Sequence, residues 1–292
     1  MSKKALYHTK PKRLFTFGCS FTHYMWGTWA NALGKELDCT FVNFGRSGAG
    51  NHYIFNLLMQ ADAVYDFTHE DLVIVQWTNV CREDRFVPQD PNGPWMTPGN
   101  IYSQSMYREE FVRDYFSEYG AYVRDFAFIK AAHEMLKHKT QWHFLQMCDI
   151  LDQTDQWNHK GRDKNQRLDE MIEYYSPSLN RILPSFYQTL YNNQIEKKFK
   201  RDKKLINKNF QDGHPSPMEH YVFLKDTFRH EWQDSTDRAV EEAQTMWIKL
   251  LNDASSNEKD FHLFNMRQRW LDMFYYETNI KGDEKPDPKI HS

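Results

Sequence analysis

Apolar positions along the chain follow two alternating periods. Short runs rich in apolar residues, Leu14–Phe17, Thr40–Phe44, Leu72–Val75 and His143–Met147, alternate with stretches where apolar residues recur every three or four positions. Runs of this length read as strands, and a wholly apolar one such as Leu72–Val75 reads as a central parallel strand covered on both faces. The stripe Trp26, Trp29, Ala30, Leu33 and Leu37 predicts a returning helix. A second helix, capped by Asn51, is expected to carry Ile54, Leu57, Leu58, Ala61 and Val64. One long helix is expected through Phe111, Tyr115, Tyr119, Tyr122, Phe126 and Ile129. Strand–helix alternation of this kind predicts an α/β fold, a three-layer α/β/α sandwich around a parallel, flavodoxin-like sheet.

The alternation is interrupted twice. Residues 83–108 hold four prolines and two glycines and read as a long loop, in which Trp95, Met96 and Tyr102 are either a pocket wall or plain structure. Residues 151–210 are polar, with helices expected around 166–175 and 178–200. A turn-rich segment, Asp212–Pro217, follows, and Pro217 can open a helix through Tyr221, Leu224 and Phe228. Helices near 236–252 and 262–279 close the chain, the latter striped with Leu263, Met266, Trp270, Met273 and Phe274. The expected organisation is one α/β/α domain over 12–232, with insertions near 83–108 and 151–210. A helical C-terminal extension over 233–292 packs on it.

Composition narrows the partners. The 292 residues carry a formal net charge of -3, so nothing global points to nucleic acid or an anionic membrane. Lys197, Lys198, Lys200, Arg201, Lys203 and Lys204 form a basic run that reads as a solvated helix end. Cys19, Cys39, Cys81 and Cys148 are widely spaced with no CxxC pair, and read as reduced thiols. His133, His138, His143 and His159 lack a ligand pattern, so neither metal nor cofactor is expected. No stretch has the length of a membrane span, and the basic Met1–Arg13 segment has no apolar run behind it. The expectation is a cytoplasmic protein, with assembly into a virion left open.

Chemistry enters at Ser20. It follows the strand Leu14–Phe17 and Gly18, at the carboxyl edge where open parallel sheets place their ligands. A serine there is a candidate nucleophile if a base reaches it, and His214 in Asp212-Gly213-His214-Pro215 is the candidate base. Cys19 is the rival nucleophile, but adjacent residues on a strand end point to opposite sides. His220 is the rival base, on the helix expected after Pro217.

Four segments in order resemble the SGNH hydrolases, the GDSL-like esterase superfamily. Gly18-Cys19-Ser20-Phe21-Thr22 is similar to the nucleophile block, and Val42-Asn43-Phe44-Gly45-Arg46-Ser47-Gly48 to the glycine block. Val73-Ile74-Val75-Gln76-Trp77-Thr78-Asn79 is similar to the asparagine block, and Asp212-Gly213-His214-Pro215-Ser216 to the Asp/His block. The wording GCSFT, QWT and DGHPSP resembles a variant subgroup encoded by phages and viruses. The resemblance implies a Ser20–His214–Asp212 triad acting on an acyl ester through an acyl-enzyme. It implies an oxyanion hole made by the Ser20 and Gly48 backbone N–H groups and the Asn79 amide. The implied substrate is a small-molecule or glycan ester, a carbohydrate O-acetyl group among the candidates, with O-acyl transfer as a variant outcome.

The chain departs from that pattern in three places. Cys19 stands where the family has Asp, Val80 follows Asn79 where Asp is common, and Asp212 lies two residues before His214 rather than three. These departures keep a second reading open: a binding or structural module, such as a virion component, with a weak or inactive site.

Overall fold

The computed structural model describes residues 3–87, 95–103, 107–151, 166–192, 204 and 213–253. In chain order these form β1 (Lys4–Ala5), β2 (Arg13–Phe17), α1 (Trp29–Leu37), β3 (Thr40–Asn43), α2 (Asn51–Tyr65) and β4 (Asp71–Trp77). A short antiparallel hairpin, β5 (Arg85–Phe86) and β6 (Trp95–Met96), interrupts the order. Then come α3 (Glu109–Tyr115), α4 (Glu118–Lys139), β7 (Gln141–Gln146), α5 (Gln166–Leu179) and α6 (Phe186–Tyr191). The described chain closes with α7 (Pro217–Thr227), β8 (Phe228–Arg229) and α8 (Asp234–Asp253).

The central sheet has the order β3-β2-β4-β7 and every pair in it is parallel. Leu14 sits between Phe41 and Leu72, and Val75 faces Phe144 across the next pair. β4 is buried along its whole length, which is why its sequence lacks polar–apolar alternation. A single parallel bridge from Phe144 to Ile182 extends the sheet beyond β7, with Leu183 N–H donating to the Phe144 carbonyl at 2.9 Å.

Right-handed crossovers dictate the layers. The chain leaves β2 toward β3 through α1, then returns past β2 to β4 through α2. These opposite directions put α1 on one face and α2 with α4 on the other. The packing agrees: α1 touches α7 and α8, whereas α2 touches α4, and α4 touches α5. The expected α/β/α arrangement with a flavodoxin-like parallel order is the observed one. The reversal lies between β2 and β4, and its carboxyl edge is the switch point where such sheets open a crevice.

Several local expectations change. Trp26 lies before α1, not in it; its indole N–H donates to the Pro215 carbonyl at 2.8 Å. Asn51 does not cap α2 but is its first residue, and Gly50 holds the cap position. Val64 is 61% exposed, so the buried stripe of α2 ends at Ala61. The single long helix is two, because Phe116 takes an extended backbone and Ser117 caps α4 by accepting the Gly120 N–H. The helix expected over 178–200 is α6 within the described range, preceded by the bridge at Ile182. Phe228 belongs to β8, which pairs with β1. The expected helix over 262–279, His159 and most of the basic run lie outside the described residues.

Candidate active site

Ser20 sits in a tight turn directly after β2, where the Thr22 and His23 N–H groups both donate to the Cys19 carbonyl, at 2.9 and 3.1 Å. Its hydroxyl lies 2.8 Å from Nε2 of His214. With the imidazole proton on Nδ1, the hydroxyl donates to Nε2, as proton removal by a base requires. Ser20 retains 5% exposure and His214 is half-buried, so the pair is not sealed in the core.

The imidazole is held by residues distant in sequence. Tyr24 stacks on it with ring centroids 3.8 Å apart and planes 16° from parallel, and Phe21 meets it at 5.4 Å. Its backbone is gripped on both sides. The Tyr187 hydroxyl donates to the Gly213 carbonyl at 3.0 Å, and the Trp26 indole donates to the Pro215 carbonyl. Immediately beyond, Ser216 and Glu219 form a reciprocal capping box that starts α7, with Ser216 N–H donating to Glu219 Oε2 at 2.7 Å. That box is legible as Ser-x-x-Glu, and the sequence reading did not use it; Tyr24, Trp26 and Tyr187 carry no such local signal.

The rivals occupy other places. Cys19 is fully buried, its thiol 3.7 Å from the Met147 thioether. His220 is buried on α7 between the rings of Phe21 and Phe186, 6.1 and 5.3 Å away. Asp212 lies outside the described residues.

Gly48 and Asn79 stand on neighbouring loops at the same carboxyl edge as Ser20. The Arg46 N–H donates to the Gly18 carbonyl at 3.0 Å, which ties the glycine loop to the serine turn. Gly48 has a φ of 77°, and an added Cβ would lie 2.0 Å from the Thr97 carbonyl oxygen. Backbone conformation and the close approach of Thr97 both demand glycine there. Among the described residues neither the Ser20 N–H nor the Gly48 N–H donates to the protein. Asn79 Oδ1 accepts the Cys81 N–H at 2.7 Å, so its amide oxygen is committed to its own turn. The amide NH2 is the end that remains for donation.

Asn51 couples the two loops. Its amide accepts the Thr78 N–H at 2.8 Å and donates to the Thr78 carbonyl at 3.0 Å and to Asp125 at 2.7 Å. Burial pushes Asp125 up to about 6 against the opposing pull of Arg124. Asp84 secures the same helix start by accepting the Gly50 N–H at 2.9 Å and the Tyr53 N–H at 2.9 Å, and burial raises its pKa too. Trp95 is buried against the rings of His52 and Tyr53, so it packs the β5–β6 hairpin on α2. His133 meets Ser178 Oγ at 3.0 Å and His143 meets the Leu6 carbonyl at 2.8 Å. Among the described residues no three potential metal ligands gather.

The fold and site define a class: a parallel α/β sheet presenting a serine–histidine pair at its switch point. No family model matches the chain, and no curated protein does. Solved structures do. The chain is similar to a GDSL-like lipase from Bacteroides thetaiotaomicron at 14% identity and a TM-score of 0.39, over 82% of this chain and 92% of that one. It is similar to a member of the lipolytic protein G-D-S-L family from Veillonella parvula at 12% identity and a TM-score of 0.39, over 73% and 94%.

Proposed function

We propose that the protein is a serine hydrolase that cleaves an acyl ester through an acyl-enzyme on Ser20. The observation that carries this is the 2.8 Å contact between Ser20 Oγ and His214 Nε2 at the sheet's switch point. Ser20 attacks the carbonyl carbon while His214 takes its proton. The tetrahedral oxyanion is held by the Ser20 and Gly48 N–H groups and the Asn79 amide, and His214 returns the proton to the departing alcohol. Water then repeats the sequence and releases the acid. Asp212 is the proposed orienter of the imidazole. A carbohydrate O-acetyl ester is the proposed substrate, and a sugar hydroxyl in place of water would turn hydrolysis into transfer.

A fluorophosphonate probe and 4-nitrophenyl acetate test the reading. The native protein labels on Ser20 and turns over the ester. Ser20→Ala and His214→Ala each abolish both, and the double variant loses little more, because the pair acts as a unit. A folded native protein that neither labels nor turns over ester is a binding module, and the hydrolase reading is then wrong.

A further inference from the structure

We infer that the crevice recognises an ester carrying a carboxylate, held by Arg82 with Arg46 in support. This rests on the hydrolase reading and narrows its substrate class. Arg82 follows Asn79 by three residues, and its guanidinium reaches across two other loops at the carboxyl edge. One terminal nitrogen donates to the Ala49 carbonyl at 2.9 Å, next to Gly48. The other lies 3.4 Å from the Met147 thioether, which itself touches Cys19 beside Ser20. The charge therefore touches the residue after Gly48 and, through Met147, the residue before Ser20, while the Arg82 backbone N–H donates to the Asn79 carbonyl at 3.3 Å.

The bonding of Arg82 is incomplete. A thioether is a weak acceptor. Among the described residues the other Arg82 N–H groups find no acceptor, and no carboxylate pairs with it. The group is half-buried, where an unpaired charge is costly. Arg13, Arg85, Arg113 and Arg124, by contrast, each hold a carboxylate. Among the described residues Arg108, Arg181, Arg229 and Arg238 hold none either, but they are exposed; Arg46 is the other half-buried one, and it leads into the same Gly48 turn. Its guanidinium lies over the Tyr53 ring, 5.9 Å from the centroid. Arg82 feels the charge of Asp84, yet among the described residues neither it nor Arg46 is in direct contact with a carboxylate, and the two flank the turn that carries one proposed oxyanion donor. A substrate carboxylate supplies the bidentate, charge-assisted partner that the protein does not.

The test compares kcat/KM for charged and neutral esters. 4-Nitrophenyl hydrogen succinate carries its carboxylate on the acyl side and is set against 4-nitrophenyl butyrate. 4-Acetoxybenzoate carries it on the alcohol side and is set against its methyl ester. The native protein should favour one charged member by at least roughly tenfold, which also tells the side. Arg82→Gln should cut that charged-to-neutral ratio by roughly ten- to a hundredfold, Arg82→Lys should keep part of it, and Arg46→Gln should reduce it less. A native ratio near one on both sides overturns the proposal, as does a ratio that Arg82→Gln leaves intact. If Arg82→Gln does not fold, Arg82→Lys and Arg46→Gln still decide by the same ratio. If no ester is turned over, the hydrolase reading has failed by itself. Titration calorimetry with succinate then decides the anion site: binding that Arg82→Gln removes supports it, and no binding by the native protein overturns it.

Discussion

The orientation of the Asn79 amide is set within its own turn. Its Oδ1 is spent on the Cys81 N–H, which leaves the NH2 as the donor end. Asn79→Ala should therefore lower kcat about a hundredfold with much less change in KM, since the bond strengthens only as charge develops. Asn79→Asp keeps the acceptor of the turn but loses the donor, so it should be as inactive as Asn79→Ala on 4-nitrophenyl acetate. An active Asn79→Asp variant would remove the amide from the mechanism. At this scale the Ser20–His214 pair was legible, because serine after a strand-end glycine and histidine in a turn have few chemical alternatives once found in order. The residues that hold them were not. Tyr24, Trp26 and Tyr187 act on His214 or its flanking carbonyls across long stretches of chain, and no local pattern encodes such a partnership. Gly48 was legible for its residue type, but the Thr97 carbonyl that enforces it was not.

At the scale of elements, the start of α2 is where stability and the proposed chemistry meet. Asp84 takes two of its N–H groups, and Asn51 binds both polar groups of Thr78, the residue before Asn79. These bonds tie the end of the glycine loop to the start of the asparagine loop. Asn51→Ala leaves buried Thr78 groups and Asp125 short of a partner. Stability should fall by about 2–3 kcal/mol in urea denaturation, within the usual range for breaking a buried polar network. The surviving folded fraction should also show lower kcat at little changed KM, because the two donors are no longer held together. If stability falls but kcat per folded molecule is unchanged, Asn51 is structural only. Sequence periodicity located the four sheet strands to within a few residues because each is a short run rich in apolar residues. It merged α3 and α4, since the apolar spacing continues through the extended Phe116 and only the Ser117 cap marks the break. It placed Asn51 as a cap because asparagine favours caps. The tertiary pull of Thr78 and Asp125 takes that side chain inward instead.

Across the whole molecule, the helix that opens just after His214 is tied at its far end to β1 and to the flank of β7. β1 pairs with β8 in parallel, so the first residues strap onto the segment that follows α7, the helix opened just after His214. His143 fastens that strap. Its Nε2–H donates to the Leu6 carbonyl at 2.8 Å, and its ring meets Phe228 at a centroid distance of 4.8 Å. Burial lowers its pKa to about 4, the Leu6 bond opposes the shift, and His8 and Lys4 add to it. The unfolded chain has this histidine near 6.5. Between those values the unfolded state binds the extra proton, so stability is full above about pH 6.5 and falls as pH drops toward 4. The loss is no more than about 3 kcal/mol. Asp125 acts in the opposite sense. Its raised pKa makes the folded state the proton binder between about pH 4 and 6, so its share declines as pH rises. Comparison with His143→Gln isolates the histidine, because glutamine can still donate to Leu6 and Asp125 is common to both chains. Urea unfolding at pH 7.5 and 4.5 should show the native protein losing more stability on acidification than His143→Gln does. Parallel pH profiles for the two would show that His143 titrates alike in folded and unfolded chains, and the strap would then owe nothing to its neutrality.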